Sequence, residues 1–241
     1  MAGINQMEQR LSVFRSELKY MMNEVKASAL EEEVRRFLMP DTYSKNGSYR
    51  VKSLYFDTIN NKDFYDKRDG ENIKKKIRLR TYDENSNILK LECKQKVGSL
   101  QQKTSLVISR NEAKALMNAD YSFLLNRSQE GQTACKFYCI LELGAYRPTV
   151  MVEYDRKAYT YPEYNTRITF DRNVRYSEIN LNIFDPMINY NYALLENTIL
   201  EVKYNKTLVQ FVKRILKSKK LTNISYGKYE WCRVLLQQYA E

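Results

Sequence analysis

The sequence predicts an α+β fold built on an antiparallel sheet. Several segments alternate strictly between charged and apolar residues, which is the period of a β-strand. Segments with helical spacing lie between and after these strands and do not alternate with them regularly. This order is typical of α+β proteins. Only seven glycines and four prolines occur in 241 residues, with no Ser/Gly-rich linker. We therefore expect one domain over residues 1–241, with its core at about 14–240.

Five segments carry charged residues on one face and apolar residues on the other, as where Arg78 and Arg80 oppose Leu79. They are Phe14–Met21, Lys76–Tyr82, Lys90–Lys96, Arg167–Asp171 and Ile199–Tyr204. Further strands are predicted at Tyr49–Asp57 and Thr149–Tyr159. The turn-forming run Asp83–Asn87 predicts that the second and third segments pair as a hairpin.

Helices are predicted where apolar residues recur at helical spacing. These segments are Asn23–Phe37, Asn111–Met117, Thr133–Leu143, Leu208–Leu216 and Tyr226–Tyr239. The basic run Lys213–Lys220 overlaps the end of the predicted helix Leu208–Leu216. Such a run is typical of a solvated helix end, which the helix dipole favours, or of a nucleic-acid patch.

The composition indicates an anionic partner. Lys and Arg outnumber Asp and Glu by 40 to 29, which gives a formal charge of +11. This surplus favours nucleic acid, nucleotide, polyphosphate or an anionic membrane surface. The chain has no histidine, which excludes His–Ser and His–Cys nucleophile pairs and histidine metal sites. A metal would need oxygen ligands, which suit Mg²⁺ or Mn²⁺.

The cysteines and the termini predict a cytoplasmic protein. Cys93, Cys135, Cys139 and Cys232 form no CxxC pair, and we expect all four to be reduced, buried thiols. The N-terminus lacks the apolar core of a signal peptide. No stretch of about 18 apolar residues predicts a membrane span.

The charged strand faces have two interpretations. They can form the wet face of an open sheet, with modest cross-strand ion pairs such as Arg78 beside Glu92. Alternatively, they can point into a closed barrel whose outer, apolar faces are covered by helices. Because unpaired buried charge costs several kcal/mol, such an interior would hold water, metal and an anionic ligand. No Gly-rich phosphate loop is present, so side chains would have to bind any phosphate.

Eight short motifs follow one another in a specific order. They are Arg15-Ser-Glu17-Leu-Lys19-Tyr20, Tyr49-Arg-Val-Lys-Ser-Leu-Tyr-Phe-Asp57, Ile77-Arg78-Leu-Arg80, Leu91-Glu92-Cys-Lys94, Tyr154-Asp-Arg156-Lys-Ala-Tyr159, Arg167-Ile-Thr-Phe-Asp171, Ile199-Leu-Glu201-Val-Lys203 and Gly227-Lys228-Tyr229. Together they resemble the VTC domain, the polyphosphate polymerase branch of the triphosphate tunnel metalloenzymes, related to CYTH proteins. The resemblance runs from about Phe14 to the C-terminus. It implies an antiparallel, eight-stranded tunnel β-barrel with helices packed on the outside.

The resemblance also implies site residues. Those expected to contact phosphate are Lys19, Arg78, Arg80, Lys94, Lys103, Arg156, Arg167, Lys203 and Lys228, of which Lys19, Arg78, Arg80, Lys94 and Lys228 are expected to be catalytic. Glu201 would hold the divalent metal, Mn²⁺ or Mg²⁺, with Glu92 and Glu17 as further ligands. Arg156 is out of phase with Glu153 and Asp155, so either a bulge re-aims it or one of those carboxylates points outward.

The expected function is metal-dependent phosphoryl transfer on ATP, triphosphate or polyphosphate, as ATP-dependent polyphosphate synthesis. Arg15 stands where triphosphatase relatives usually begin Glu-x-Glu-x-Lys, which favours the polymerase branch. A polymerase needs no general base because its acceptor is already anionic, whereas a hydrolase would need Glu17, Glu92 or Glu153 to activate water. An inorganic or nucleoside triphosphatase is one alternative. A non-catalytic polyanion or nucleic-acid binding module is the other, although no nucleic-acid partner is expected.

Overall fold

In a computed structural model, the chain folds into one curved antiparallel sheet with helices packed against it, most of them on its outer face. The structure describes residues 15–240 except positions 45, 46, 99, 128, 130 and 226. Phe14 and Tyr226, which the sequence assigns to the first strand and the last helix, lie outside the described residues. The predicted α+β class with a mainly antiparallel sheet is confirmed.

The described part of the chain contains eleven strands, including all seven that the sequence predicts. They are β1 (Arg15–Asn23), β2 (Met39–Pro40), β3 (Tyr49–Thr58), β4 (Ile73–Thr81), β5 (Ile88–Val97), β6 (Leu100–Ser109), β7 (Tyr146–Tyr161), β8 (Thr166–Ser177), β9 (Asn191–Leu194), β10 (Asn197–Asn205) and β11 (Thr222–Asn223). The hydrogen-bonded order is β11-β1-β10-β8-β7-β3-β4-β5-β6, while β2 pairs with β7 and β9 pairs with β8.

Seven α-helices occur in the same described residues. They are α1 (Glu24–Arg35), α2 (Lys62–Arg68), α3 (Arg110–Met117), α4 (Phe123–Asn126), α5 (Gln132–Leu143), α6 (Gln210–Ser218) and α7 (Lys228–Ala240). The sequence predicts five of them and misses α2 and α4, which have seven and four residues. The buried Asp57 carboxylate instead starts α2, since it accepts from the backbone N–H groups of Asp63 (2.9 Å) and Phe64 (3.0 Å). No helix among the described residues is long and apolar enough to cross a membrane.

The sheet curls until its two halves face each other. Strands β1 and β5 have five strands between them in the hydrogen-bonded order, yet Lys94 Nζ lies 3.0 Å from Glu17 Oε2. Among the described residues no ladder joins β6 to β1, so closure into an eight-stranded barrel is not observed. Part of the free edge of β1, at Tyr20 and Met21, is instead occupied by β11.

Helices cover the outer, apolar faces of the strands, as the second interpretation of the charged faces requires. Ile77 and Leu79 of β4 pack into a core completed by α3, α4 and α5. Leu200 and Val202 of β10 pack into a second core completed by α1 and α6. Burying such side chains contributes about 1.5–3 kcal/mol each. Because alternate residues point to opposite faces, this packing turns the charged residues inward.

The prediction that all four cysteines are buried is wrong for two of them. All four are free thiols, but only Cys93 and Cys232 are buried, whereas Cys135 and Cys139 are exposed. The two exposed residues lie on α5, whose inner face is formed by Ala134, Phe137 and Leu141. Cys135 and Cys139 therefore lie on the other side of the helix.

Candidate functional site

Charged side chains from seven strands and α7 meet between the two halves of the sheet. We call this group the interior cluster. Its members are the basic residues Lys19, Lys76, Arg78, Arg80, Lys94, Lys103, Arg156, Lys203 and Lys228 and the acidic residues Glu17, Glu92, Asp171, Glu201 and Glu230. Nine basic side chains thus face five acidic ones, which leaves an excess of four positive charges.

Strand register places these residues together. Lys19 of β1 lies opposite Glu201 of β10, and Glu17 lies opposite Lys203. Residues directly opposite each other in an antiparallel pair share a face of the sheet. The alternation within each strand therefore brings the charged residues of neighbouring strands to the same, inner face.

Glu201 faces three cations of the cluster. Its oxygens lie 3.1 Å from Lys228 Nζ, 3.3 Å from Lys203 Nζ and 3.8 Å from an Arg156 nitrogen. Burial alone would raise the pKa of Glu201, but Lys228, Lys203 and Arg156 hold it well below its usual range. Glu201 is therefore anionic, and its three cationic neighbours are positioned by it.

Asp171 is a member of the cluster to which the sequence assigns no role. This fully buried carboxylate accepts two hydrogen bonds from Arg156, at 2.6 and 2.7 Å, and lies 2.5 Å from Lys228 Nζ. The Tyr154 ring lies beside the same two cations, 5.1 Å from the Arg156 guanidinium carbon and 4.7 Å from Lys228 Nζ. The sequence does indicate a place for Asp171 in the site, because the alternation in Arg167–Asp171 puts that residue on the charged face of its strand.

Glu92 organises a second group of cations on β4, β5 and β6. It accepts from Arg78 Nε at 2.7 Å, lies 3.7 Å from an Arg80 nitrogen and contacts Lys103. Burial would raise the pKa of Glu92, but Arg78, Arg80 and Lys103 lower it to about 2. Arg78 also donates to the Tyr55 hydroxyl at 3.3 Å, whereas Arg80 Nε is buried without a hydrogen-bond partner among the described residues.

The first turn of α7 brings two residues into the cluster. Lys228 reaches Glu201 and Asp171, and buried Glu230 pairs with Lys76. Glu230 also accepts from the Gly227 N–H at 2.8 Å, which stabilises the start of the helix. Neither Lys76 nor Glu230 is among the predicted site residues. The strand alternation contains a signal for Lys76, but no local pattern indicates Glu230.

A cavity of about 370 Å³ opens at the end of the cluster where β4 begins. We call this opening the lysine mouth. Its lysines are Lys19, Lys67, Lys74, Lys75, Lys76, Lys94 and Lys96. Glu17 also lines it and pairs with Lys94 at 3.0 Å and Lys19 at 3.5 Å. Burial would raise the pKa of Glu17, but Lys19, Lys203 and Lys94 lower it to about 2.

Two residues considered from the sequence are engaged outside the cluster. Arg167 pairs with Asp41 at 2.6 Å and donates to the Tyr49 hydroxyl at 3.0 Å. It lies directly opposite Lys203 in the register of β8 and β10, so it borders the cluster. Glu153 belongs to another group, where it accepts from Arg175 Nε at 2.8 Å.

The phase of Arg156 is explained by the two sides of β7. Glu153 and Asp155 both lie near Arg175, whereas Arg156 pairs with Asp171 inside the cluster. The two carboxylates therefore point away from the cluster. A bulge does occur where β7 meets β8, between Glu153 and Asp155, and Asn173 of β8 has a positive φ of 51°.

The carboxylates limit how a metal could be held. No group of three or more acidic or cysteine side chains among the described residues is arranged as a metal site. Glu17 and Glu201 lie on adjacent strands, while Glu92 is held by Arg78 and Arg80. Mg²⁺ is commonly bound by one or two carboxylates together with substrate phosphates. The residues are compatible with that mode, in which Glu201 would be the protein ligand and Glu17 would lie beside it.

Comparisons with known proteins address the family and the fold. A family model described as the VTC domain matches residues 14–236. A candidate adenylate cyclase from Bacillus halodurans superposes with a TM-score of 0.52 at 13% identity, covering 88% of this chain and 92% of its own.

Two further solved structures resemble the chain more weakly. A Pyrococcus horikoshii protein has a TM-score of 0.47 at 14% identity and covers 93% of this chain and 99% of its own. A candidate adenylate cyclase from Vibrio parahaemolyticus has a TM-score of 0.48 at 13% identity, covering 92% and 99%. No curated protein matches the sequence. At these identities the structural likeness concerns the fold alone.

Proposed function

Because this chain belongs to the VTC domain family, whose model matches residues 14–236, we propose that it transfers phosphoryl groups between ATP and a polyphosphate chain. The reaction is ATP-dependent polyphosphate synthesis, carried out by a single domain. The observation that carries the proposal is the excess of four positive charges in the interior cluster. A fully ionised nucleoside triphosphate carries about as many negative charges, so it complements the cluster.

The basic residues would bind the phosphates. Arg78 and Arg80 can each present several N–H donors to phosphate oxygens, and charge-assisted bonds of this kind are about twice as strong as neutral ones. Lys19, Lys94 and Lys228 supply point charges around them. Their carboxylate partners already hold these cations in place, so little reorganisation is needed when phosphate oxygens arrive.

The transfer step follows from this arrangement. A terminal oxygen of the polyphosphate chain attacks the γ-phosphorus of ATP, a new P–O bond forms, and the bond to the β–γ bridging oxygen breaks. The electron pair of that bond leaves with ADP, whose increased charge the surrounding Arg and Lys side chains neutralise. A divalent ion, Mg²⁺ or Mn²⁺, held by Glu201 and phosphate oxygens would supply further charge neutralisation.

The state of the carboxylates supports synthesis over hydrolysis. A hydrolase needs a general base, and a base works best when its pKa lies near the working pH. Glu17 and Glu92 are both ion-paired and have pKa values of about 2, while Glu153 lies outside the cluster. An acceptor that is already an anionic phosphate oxygen needs no such base.

The test is incubation of the purified protein with ATP and Mn²⁺, followed by nucleotide chromatography and gel analysis of polyphosphate. We expect ADP and a growing phosphate chain, strongly reduced activity in Arg78→Ala, and full activity in Lys114→Ala, whose exposed lysine lies on outer helix α3. Release of only free phosphate or pyrophosphate would instead identify a triphosphatase. Binding of ATP without turnover would identify a non-catalytic polyanion-binding module.

A further inference from the structure

Three tyrosines form a group at the end of β4 opposite the lysine mouth. We call Tyr43, Tyr49 and Tyr82 the tyrosine mouth. The Tyr43 and Tyr82 rings stack with centroids 5.7 Å apart and planes at 14°. The Tyr49 ring is tilted against both, at 5.6 Å from Tyr43 and 6.0 Å from Tyr82. Tyr43 is 64% exposed and Tyr82 39% exposed, so part of this aromatic surface faces solvent.

The tyrosine mouth directly continues the line of phosphate-binding candidates on β4. Arg78 and Arg80 are alternate residues of β4 and share its inner face, and Tyr82 follows directly after the strand ends at Thr81. At 3.2–3.4 Å per residue along the strand, Arg80 lies about 7 Å beyond Arg78, and Tyr82 lies at most about 7 Å beyond Arg80. Burial would raise the pKa of the Tyr82 phenol, but Arg80, through its charge and a side-chain hydrogen bond, and Arg156 lower it. A ligand whose phosphates contact the arginines would therefore place its next group near the tyrosines.

An unused hydrogen-bond donor lies where the interior cluster meets the tyrosine mouth. Arg80 is 8% exposed, and its Nε has no hydrogen-bond partner among the described residues. Buried polar groups are normally paired, and this guanidinium N–H beside the tyrosines lacks a partner among the described protein atoms. Tyr49, in contrast, is fixed, because its hydroxyl accepts from Arg167 at 3.0 Å. It can thus support the more exposed rings of Tyr43 and Tyr82.

The two ends of β4 differ in chemistry. The described residues that line the lysine mouth include seven lysines and no aromatic side chain, which suits a chain of phosphates. The tyrosine mouth has exposed rings beside an arginine, which suits a flat, uncharged ring attached to phosphates. Stacking of nucleobases on aromatic side chains is the general mode by which proteins bind them without base-specific hydrogen bonds.

We propose that Tyr43 and Tyr82 form a stacking site for the nucleobase of the nucleoside triphosphate whose phosphates occupy the interior cluster. The inference rests on the proposed function and specifies its substrate as a nucleotide, not inorganic triphosphate. The base lies on the exposed tyrosine rings, Arg80 contacts the phosphate nearest the ribose, and the terminal phosphate points toward the lysine mouth.

The test compares two ligands by isothermal titration calorimetry, ATP and inorganic tripolyphosphate. Tyr43→Ala should weaken ATP binding by about 5- to 150-fold, the range found when a stacking aromatic is removed, and leave tripolyphosphate binding within about twofold. Tyr82→Ala should behave in the same way. Tyr43→Phe should keep the affinity for ATP, because it retains the ring. Tyr192→Ala on β9, where the tyrosine is 54% exposed, is the matched control and should change neither affinity.

Two results would overturn the inference while leaving the proposed function intact. One is ATP affinity that is unchanged in both alanine variants; the other is an equal loss of affinity for both ligands. Because Tyr43 is largely exposed, its truncation should not unfold the protein, and circular dichroism of each variant checks this. Wild-type protein that binds neither ligand would refute the proposed function itself, and the stacking site with it.

Discussion

Replacing Glu201 by glutamine tests how the interior cluster is held together. The substitution keeps the size of the side chain but removes the charge that faces Lys228, Lys203 and Arg156 at 3.1, 3.3 and 3.8 Å. Removing one partner of a buried ion pair costs about 3–5 kcal/mol, because it leaves the other charges uncompensated. For a chain of this length, 1 kcal/mol changes Tm by about 2–4 °C. We therefore expect Glu201→Gln to lower Tm by on the order of 10 °C.

A phosphate ligand should reverse much of this loss. Its oxygens can take the place of the missing carboxylate charge beside Lys228 and Lys203. Saturating tripolyphosphate should therefore raise the Tm of Glu201→Gln by more than it raises that of the wild type, as followed by differential scanning calorimetry. Phosphate binding should be retained, while ATP turnover with Mn²⁺ should be lost because the proposed metal ligand is gone.

The control is Glu71→Gln, which removes the same charge from an exposed residue and should change stability by less than about 0.5 kcal/mol. A Glu201→Gln protein with the Tm of the wild type would show that this carboxylate does not hold the cations. Full turnover by that variant would refute the assignment of Glu201 to the metal.

Three further predictions concern binding and pH. Arg78→Ala should weaken tripolyphosphate binding by about 10- to 150-fold, which corresponds to the loss of one charge-assisted contact of about 1.5–3 kcal/mol. Lys114→Ala should leave this affinity unchanged, and calorimetric titration measures both variants. The pKa of Glu92 falls from its ordinary value of 4.5 to about 2 on folding. The ionised Glu92 carboxylate therefore stabilises the folded protein above pH 4.5, and this stabilisation is lost as the pH falls toward 2. Urea titrations should show the wild type losing about 3 kcal/mol more than Glu92→Gln between pH 5 and pH 2, and equal losses would contradict this. Tripolyphosphate should bind more tightly than duplex DNA at physiological salt, because the cations lie between the halves of the sheet. A competition assay measures this. Tighter DNA binding with a steep salt dependence would instead favour the nucleic-acid binding module.

The β4 and β10 segments show how much of the fold the sequence predicts. In both, the alternation correctly separates a charged face, with Arg78 and Glu201, from an apolar face, with Leu79 and Val202, and in the structure the apolar face packs under helices. The order of the motifs also predicts the family that the match over residues 14–236 shows. These features are local, since two residues of spacing decide which face a strand residue takes.

The pairing within the site depends on the tertiary structure. Lys94 meets Glu17 only because the sheet curls across five intervening strands, and Lys76 meets Glu230 only because α7 packs at the end of the cluster. Asp171 lies on a face that the alternation marks as charged, but its position between Arg156 and Lys228 involves α7 as well as β7.

The sequence by itself therefore determined the α+β class, the division of strands into charged and apolar faces, and the family. The tertiary structure alone decided that no ladder closes the sheet between β6 and β1 in the described residues, that Glu230 enters the cluster, and that tyrosines gather at one end of β4. The physical reason is the separation along the chain of the residues that interact. Strand faces follow from neighbours in the chain, whereas sheet curvature, edge pairing and helix docking follow from contacts between residues that are far apart in sequence.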